Sequence, residues 1–177
     1  MKFTTVKGNI CDRPNGINTI IHQANTQGVM GAGVALALKT KWPEVEKADQ
    51  EVHERLRAVG MDNKERSEFL LGLYSRAGNI TGEEPTFAVY NLYGQELRRP
   101  SLAGAATSYD AVIRGFRDII INFKDRCAED SNFSPVIGIP HLMGCGIAGG
   151  DWDLYELIIK KAFEDTRFPV VFVDFNS

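Results

Sequence analysis

Twice in this chain a short, apolar, β-branched run breaks off into a cluster of glycines and resumes as a helical pattern. The first instance runs from 17-INTIIHQA-24 through 28-GVMGAG-33 into 34-VALALK-39. The second runs from 135-PVIGIP-140 through 144-GCGIAGG-150 into a helix that begins near Asp151-Trp152. A buried strand, a glycine loop and a helix start aim backbone N–H groups and the positive helix end at one place, which favours phosphate. Glycine serves there because a side chain would block close approach, and because some positions demand positive φ. Neither loop continues as Gly-Lys-Ser/Thr, so neither is a P-loop. Gly28, Gly31 and Gly33 do not have the spacing of a GxGxxG dinucleotide turn. Mononucleotide kinases and Rossmann dehydrogenases are disfavoured on these grounds. The bland alternative is a pair of tight βα turns. Two such loops together make a diphosphate clamp the better reading.

The remaining pattern fills in an α/β chain. Residues 2–7 read as a first strand stopped by Gly8-Asn9, and residues 69–75, 86–93 and 169–175 as further strands. Pro43 suits the first turn of a helix whose apolar face is marked by Val45, Ala48, Val52, Leu56 and Val59. From Tyr109 to Phe123, apolar residues recur at spacings of three and four, the strongest helical signal present. Interleaved helices and strands predict helices on both faces of a sheet. Some neighbouring strands lack a crossover helix between them, so the sheet is expected to be mixed.

With 177 residues, 44% of them hydrophobic, and neither repeat nor low-complexity linker, a single domain over 1–177 is the economical expectation. A net charge of −3 argues against a grip on long nucleic-acid backbone but leaves room for a small anion held by amides. Cys11, Cys127 and Cys145 are odd in number and widely spaced, which writes neither a disulfide framework nor a zinc site. The N-terminus lacks an apolar signal core, and no stretch approaches a membrane span. A cytoplasmic monomer without metal or cofactor is expected.

At the glycine loops the sequence resembles the macrodomain family. The likeness is carried by 22-HQANTQGVMGAGVALALK-39, 90-YNLYGQ-95 and 136-VIGIPHLMGCGIAGGDW-152, and strand placement agrees from residue 2 to 175. It implies a three-layer α/β/α sandwich on a mixed sheet of about six strands, with an ADP-ribose derivative in a cleft at the strand ends. By this likeness Asn25 would contact the distal ribose. The backbones of Gly31, Ala32, Gly33 and Val34 would line ribose and diphosphate, and Gly144, Cys145, Gly146 and Ile147 would close on the diphosphate from the other side. Asn9 and Ile10 would stand beside the adenine. Asn9 replaces the family's frequent Asp, so the adenine amino group would meet an uncharged acceptor, with Asp12 as the alternative carboxylate. Tyr93 is expected near the distal ribose, or else as a core-edge aromatic.

Within the family the chain resembles the branch of ADP-ribose 1''-phosphate phosphatases, and also antitoxin macrodomains that remove ADP-ribose from DNA bases. The resemblance implies catalytic roles for His22 and Asp151. His22 would attack the terminal phosphate or protonate the leaving oxygen, with Asp151 orienting water. In a glycohydrolase, Asp151 would activate water against the anomeric carbon. A non-catalytic reader is the third possibility. Partners would accordingly be an ADP-ribose derivative alone, or ADP-ribosylated protein or DNA. Each candidate has a plainer reading: His22 as a satisfied core histidine, and Asp151 as a helix N-cap. Lys39 occupies the position of one branch's catalytic lysine, but Ala148 stands where that branch's acid would be. Cys145 is read as small-residue packing, His141 as loop packing with a ligand contact, and His53 as a solvated surface residue.

Overall fold

The computed structural model describes residues 1–80, 87–96 and 106–175. Among these, six strands are formed: β1 (Phe3–Lys7), β2 (Thr19–Asn25), β3 (Tyr74–Ala77), β4 (Ala88–Gln95), β5 (Ile137–Pro140) and β6 (Val170–Asp174). Five α-helices accompany them: α1 (Gly33–Lys41), α2 (Pro43–Ala58), α3 (Asn63–Leu70), α4 (Tyr109–Glu129) and α5 (Trp152–Phe163). The sheet order is β1-β6-β5-β2-β4-β3. All neighbours are parallel except β3, which runs antiparallel to β4 at the edge. The mixed α/β sheet expected from the sequence is therefore the observed one.

The strands read as nearly continuous apolar runs because both faces are covered. In β2 the alternation splits neighbours between layers. Ile20 packs with Leu38, Trp42 and Val45 of the α1 and α2 layer, and Ile21 with Val112, Phe116, Ile159 and Phe163 of the α4 and α5 layer. Full burial of each such side chain is worth about 1.5–3 kcal/mol. On α4, Ser108 caps the first turn, and Gly115 lets the helix lie against β4: a Cβ there would stand 1.9 Å from Leu92 Cδ1.

Several expectations are corrected. Residues 69–75 are not one strand. Phe69 and Leu70 end α3, and the strand starts only at Tyr74. The helix is started by a capping box, in which Asp62 accepts from the Glu65 N–H and Glu65 accepts from the Asp62 N–H. The expected strand 86–93 is displaced toward its C-terminal side as Ala88–Gln95; residue 86 lies outside the described residues. The apolar face expected for α2 packs inward through Val45, Ala48, Val52 and Leu56, but Val59 is 73% exposed and Asp49 and His53 are buried as well. His53 is thus not a solvated residue; it lies in the interior beside Asp49, Nε2 to Oδ1 3.5 Å. Among the described residues no helix is long and apolar enough to cross a membrane.

The site follows from topology. Strands β2 and β5 are neighbours, yet the chain leaving β2 enters α1 on one face and the chain leaving β5 enters α5 on the other. A crevice opens beyond the carboxyl ends of adjacent strands whose connections part in this way. Both glycine loops leave from that point.

Candidate functional site: a glycine-walled cleft

A cleft of about 520 Å³ occupies the crevice. One wall is Asn25, Val29 and residues Gly31 to Ala35; the other is Pro140 to Gly144 with Gly146, Ile147 and Ala148. His22, Gln23, Ala24 and Gln95 make the floor.

The two walls differ in what they offer an anion. Helix α1 starts at Gly33, and its N-cap, Ala32, has no side chain able to cap it. The first intrahelical bond runs from Leu36 N–H to Ala32 C=O, leaving the N–H groups of residues 33–35 without an intrahelical acceptor. Gly33 has φ +57°, and a Cβ built there would meet nothing within 4 Å, so the backbone stands bare toward the cleft. The start of α5 is closed. Asp151 caps it, Oδ1 accepting from the N–H groups of Asp153 at 2.9 Å and Leu154 at 3.3 Å. The positive end available to an anion is therefore that of α1. The second loop contributes a backbone wall, held by the Gly150 N–H donating to the Gly144 carbonyl at 2.8 Å.

Asn25 opens the first loop and shapes it. Its Oδ1 accepts from Gln27 N–H at 3.0 Å and Val29 N–H at 3.3 Å, and its Nδ2 donates to the Val29 carbonyl at 2.7 Å. One amide hydrogen remains uncommitted. From beneath, Gln50 Nε2 donates to the Gly28 carbonyl at 2.8 Å, and a Cβ on Gly28 would press on the His53 ring at 3.0 Å. The polar face of α2 thus supports the loop.

His22 reaches the cleft floor but is 1% exposed. Asn91 Nδ2 donates to the Val45 carbonyl at 3.1 Å, which turns Asn91 Oδ1 toward the imidazole at 2.5 Å. An amide oxygen can only accept, so His22 Nε2 carries a proton and donates it. Burial pushes the His22 pKa down, against a smaller opposing effect of the Asn91 bond. The network runs on through Ser75, Tyr93 and Asp49, away from the cleft.

Several residues expected at the ligand are not among those that line the cleft. Tyr93 is fully buried; its hydroxyl donates to Asp49 Oδ1 at 2.6 Å, and burial together with Asp49 holds its pKa far above the ordinary value. It is a core residue, because alternation along β4 turns it toward α2. Asn9 accepts from Cys11 N–H and caps the turn Ile10–Asp12, Ile10 is packed in the core, and Asp12 is exposed in the same turn; none of the three lines the cleft. Cys145 directs Sγ to the Met143 carbonyl at 3.4 Å, and its neighbours, not it, form the wall. Burial and the nearby Asp151 raise its pKa. Asp151 is exposed on the α5 cap, whereas His22 is buried under the cleft floor. Lys39 is paired with Glu46 at 2.8 Å.

Other residues are brought in that the sequence reading passed over. Gln23 and Gln95 meet on the floor, Nε2 to Oε1 2.6 Å. They carry no catalytic motif, and only the β2–β4 pairing brings them together. His141, by contrast, was read from the sequence as loop packing with a ligand contact; it lines the cleft half-buried on the β5 side, with Nδ1 3.6 Å from Asp174 Oδ1 and its ring against Trp152.

The fold and this cleft define a class of protein. Solved structures similar to the chain include a protein of unknown function from Bacteroides thetaiotaomicron, 27% identical, with a TM-score of 0.76 and 99% of both chains covered. A macrodomain protein from Streptomyces coelicolor is 25% identical, with 99% of both chains covered and a TM-score of 0.68. DarTG of Thermosipho africanus, solved in complex with ADP-ribose, is 15% identical over 97% of this chain and 41% of its own, with a TM-score of 0.67. No family model and no curated protein matches. In fold and in the placing of this cleft, the chain is similar to solved macrodomain structures.

Proposed function

We propose that the protein binds ADP-ribose derivatives in the glycine-walled cleft and hydrolyses a bond at their distal ribose. The observation that carries this reading is the uncapped start of α1 facing a backbone wall across a cleft at the strand ends. Three free N–H groups and a helix dipole suit a diphosphate, and an adenosine and a ribose would extend along the cleft to either side. The ADP-ribose complex of the similar Thermosipho protein supports the same ligand class.

Of the two hydrolytic readings, the glycosidic one is favoured over ADP-ribose 1''-phosphate hydrolysis. A phosphatase would call on His22, whose ring is 1% exposed, with Nε2 donating to Asn91 and Nδ1 also buried away from solvent. Glycosidic cleavage passes through an oxocarbenium-like state that needs orientation of ribose and water more than a protein nucleophile. Asp151 caps α5 through Oδ1 alone, so Oδ2 could act as base without loss of the cap. The substrate would be ADP-ribosylated protein or DNA.

Incubation with ADP-ribose 1''-phosphate, an ADP-ribosylated peptide and an ADP-ribosylated oligonucleotide, side by side, tests the reading. Release of ADP-ribose from a conjugate is the expected result. Phosphate release from the first alone would restore the phosphatase, and binding without turnover would leave a reader.

A further inference from the structure

The two glutamines on the cleft floor can be oriented by hydrogen-bond polarity. Gly144 C=O can only accept, so Thr107, whose Oγ1 lies 2.8 Å from it, donates its single hydroxyl hydrogen there. Thr107 Oγ1 must then accept from its other neighbour, which makes the Gln23 atom 3.0 Å away the amide nitrogen. Gln23 Oε1 is consequently turned to Tyr155, whose hydroxyl donates to it at 2.7 Å. Burial holds the Tyr155 pKa well above its ordinary value, so that proton stays in place. The second hydrogen of Gln23 Nε2 points at Gln95, 2.6 Å away, and only an oxygen can receive it. Gln95 Oε1 is thereby fixed toward Gln23, and the Gln95 NH₂ group faces the other way.

Gln95 lines the cleft and pairs in register with Asn25 at the end of β2. Asn25 has three of its four amide positions committed to the first loop. Among the described residues the Gln95 NH₂ donates to no protein acceptor. A rigidly held amide with two donors and no acceptor therefore stands at the β2–β4 end of the cleft.

We propose that Gln95 is the group that binds the distal ribose end of the ligand, donating its amide hydrogens to a ribose hydroxyl or to the oxygen attached there. Gln23 acts as its positioning residue, through the relay from Tyr155 and Thr107. This rests on the ADP-ribose reading of the cleft and adds to it the residue that separates ADP-ribose from ADP. The relay also ties Gln95 to Gly144, so the second glycine loop and the distal end are set by one network.

The test compares two ligands on three proteins by calorimetric titration. The native protein, Gln95→Glu and Tyr155→Phe are each titrated with ADP-ribose and with ADP. Gln95→Glu keeps the acceptor facing Gln23 and replaces the donor by a carboxylate oxygen. It should weaken ADP-ribose about tenfold, the scale of one to two lost hydrogen bonds, while changing ADP about twofold or less. Tyr155→Phe removes the donor that fixes Gln23 and should weaken ADP-ribose selectively by a smaller factor. Equal weakening of both ligands by Gln95→Glu would show that Gln95 merely supports the cleft, and unchanged ADP-ribose affinity would remove it from the site; either overturns the proposal. Failure of the native protein to bind ADP-ribose would instead overturn the functional reading, and this proposal with it.

Discussion

At the scale of single residues, the polar side chains in and under the cleft are each defined by what they are already bonded to. His22 donates to Asn91 in the interior and is held neutral by burial. Its folded-state pKa lies below the unfolded value of about 6.5, so it contributes stability that is complete above that value and is lost as pH falls through the folded-state value. Melting temperatures measured from pH 7.5 to 5 should fall more steeply for the native protein than for His22→Gln. Parallel curves would show that His22 titrates as it does when unfolded. Asp151 yields a second separation. Asp151→Ala should cost about 1 kcal/mol through loss of the α5 cap, while Asp151→Asn, still a good cap, should be near neutral. If the carboxylate takes part in turnover, Asp151→Asn will retain stability and lose activity; full activity in Asp151→Asn assigns Asp151 to the cap alone. Of the site, the glycines and Asn25 were legible because their chemistry is local to a motif. Gln23 and Gln95 were not. Their meaning lies in a contact between residues 72 positions apart, which no spacing rule encodes.

At the scale of elements, legibility followed how strongly each segment's period stood out. Helix α4 shows its three-and-four spacing over about four turns and lies where the sequence puts it. Helix α3 is eight residues long, with an apolar pair only at its end, so Phe69-Leu70 read as the start of a strand. The signal that could have found it is the Asp62–Glu65 capping box. Helix α2 packs Val45, Ala48, Val52 and Leu56 as its period predicts, while the burial of Asp49 and His53 went unread because buried polar residues run against the usual partition. Those residues face the Tyr93 hydroxyl and Gly28, so the polar face braces the first loop. The contact between α4 and β4 gives a direct test. Gly115→Ala would put a methyl group 1.9 Å from Leu92 Cδ1. Urea denaturation should show a loss of about 1–3 kcal/mol, the usual cost of overpacking. A neutral or stabilising result, as helix propensity alone would give, would mean the two elements are not so closely packed.

At the scale of the whole molecule, the account depends on one crevice, where neighbouring strands send their connections to opposite faces and a bare helix start meets a backbone wall. A ligand seated there binds the folded chain and not the unfolded one. At a hundred times its Kd it should add about 2.7 kcal/mol of apparent stability. For a chain of this size that corresponds to a rise in melting temperature of about 5–10 °C. Gly33→Glu should remain folded, since the Cβ position is open, although φ +57° carries some strain. Its carboxylate would stand at the anion site and repel a diphosphate. The most direct measurement is therefore the melting temperature of the native protein and of Gly33→Glu, with and without saturating ADP-ribose. The account predicts a rise for the native protein and none for Gly33→Glu. No rise in the native protein, or an equal rise in both, would contradict it.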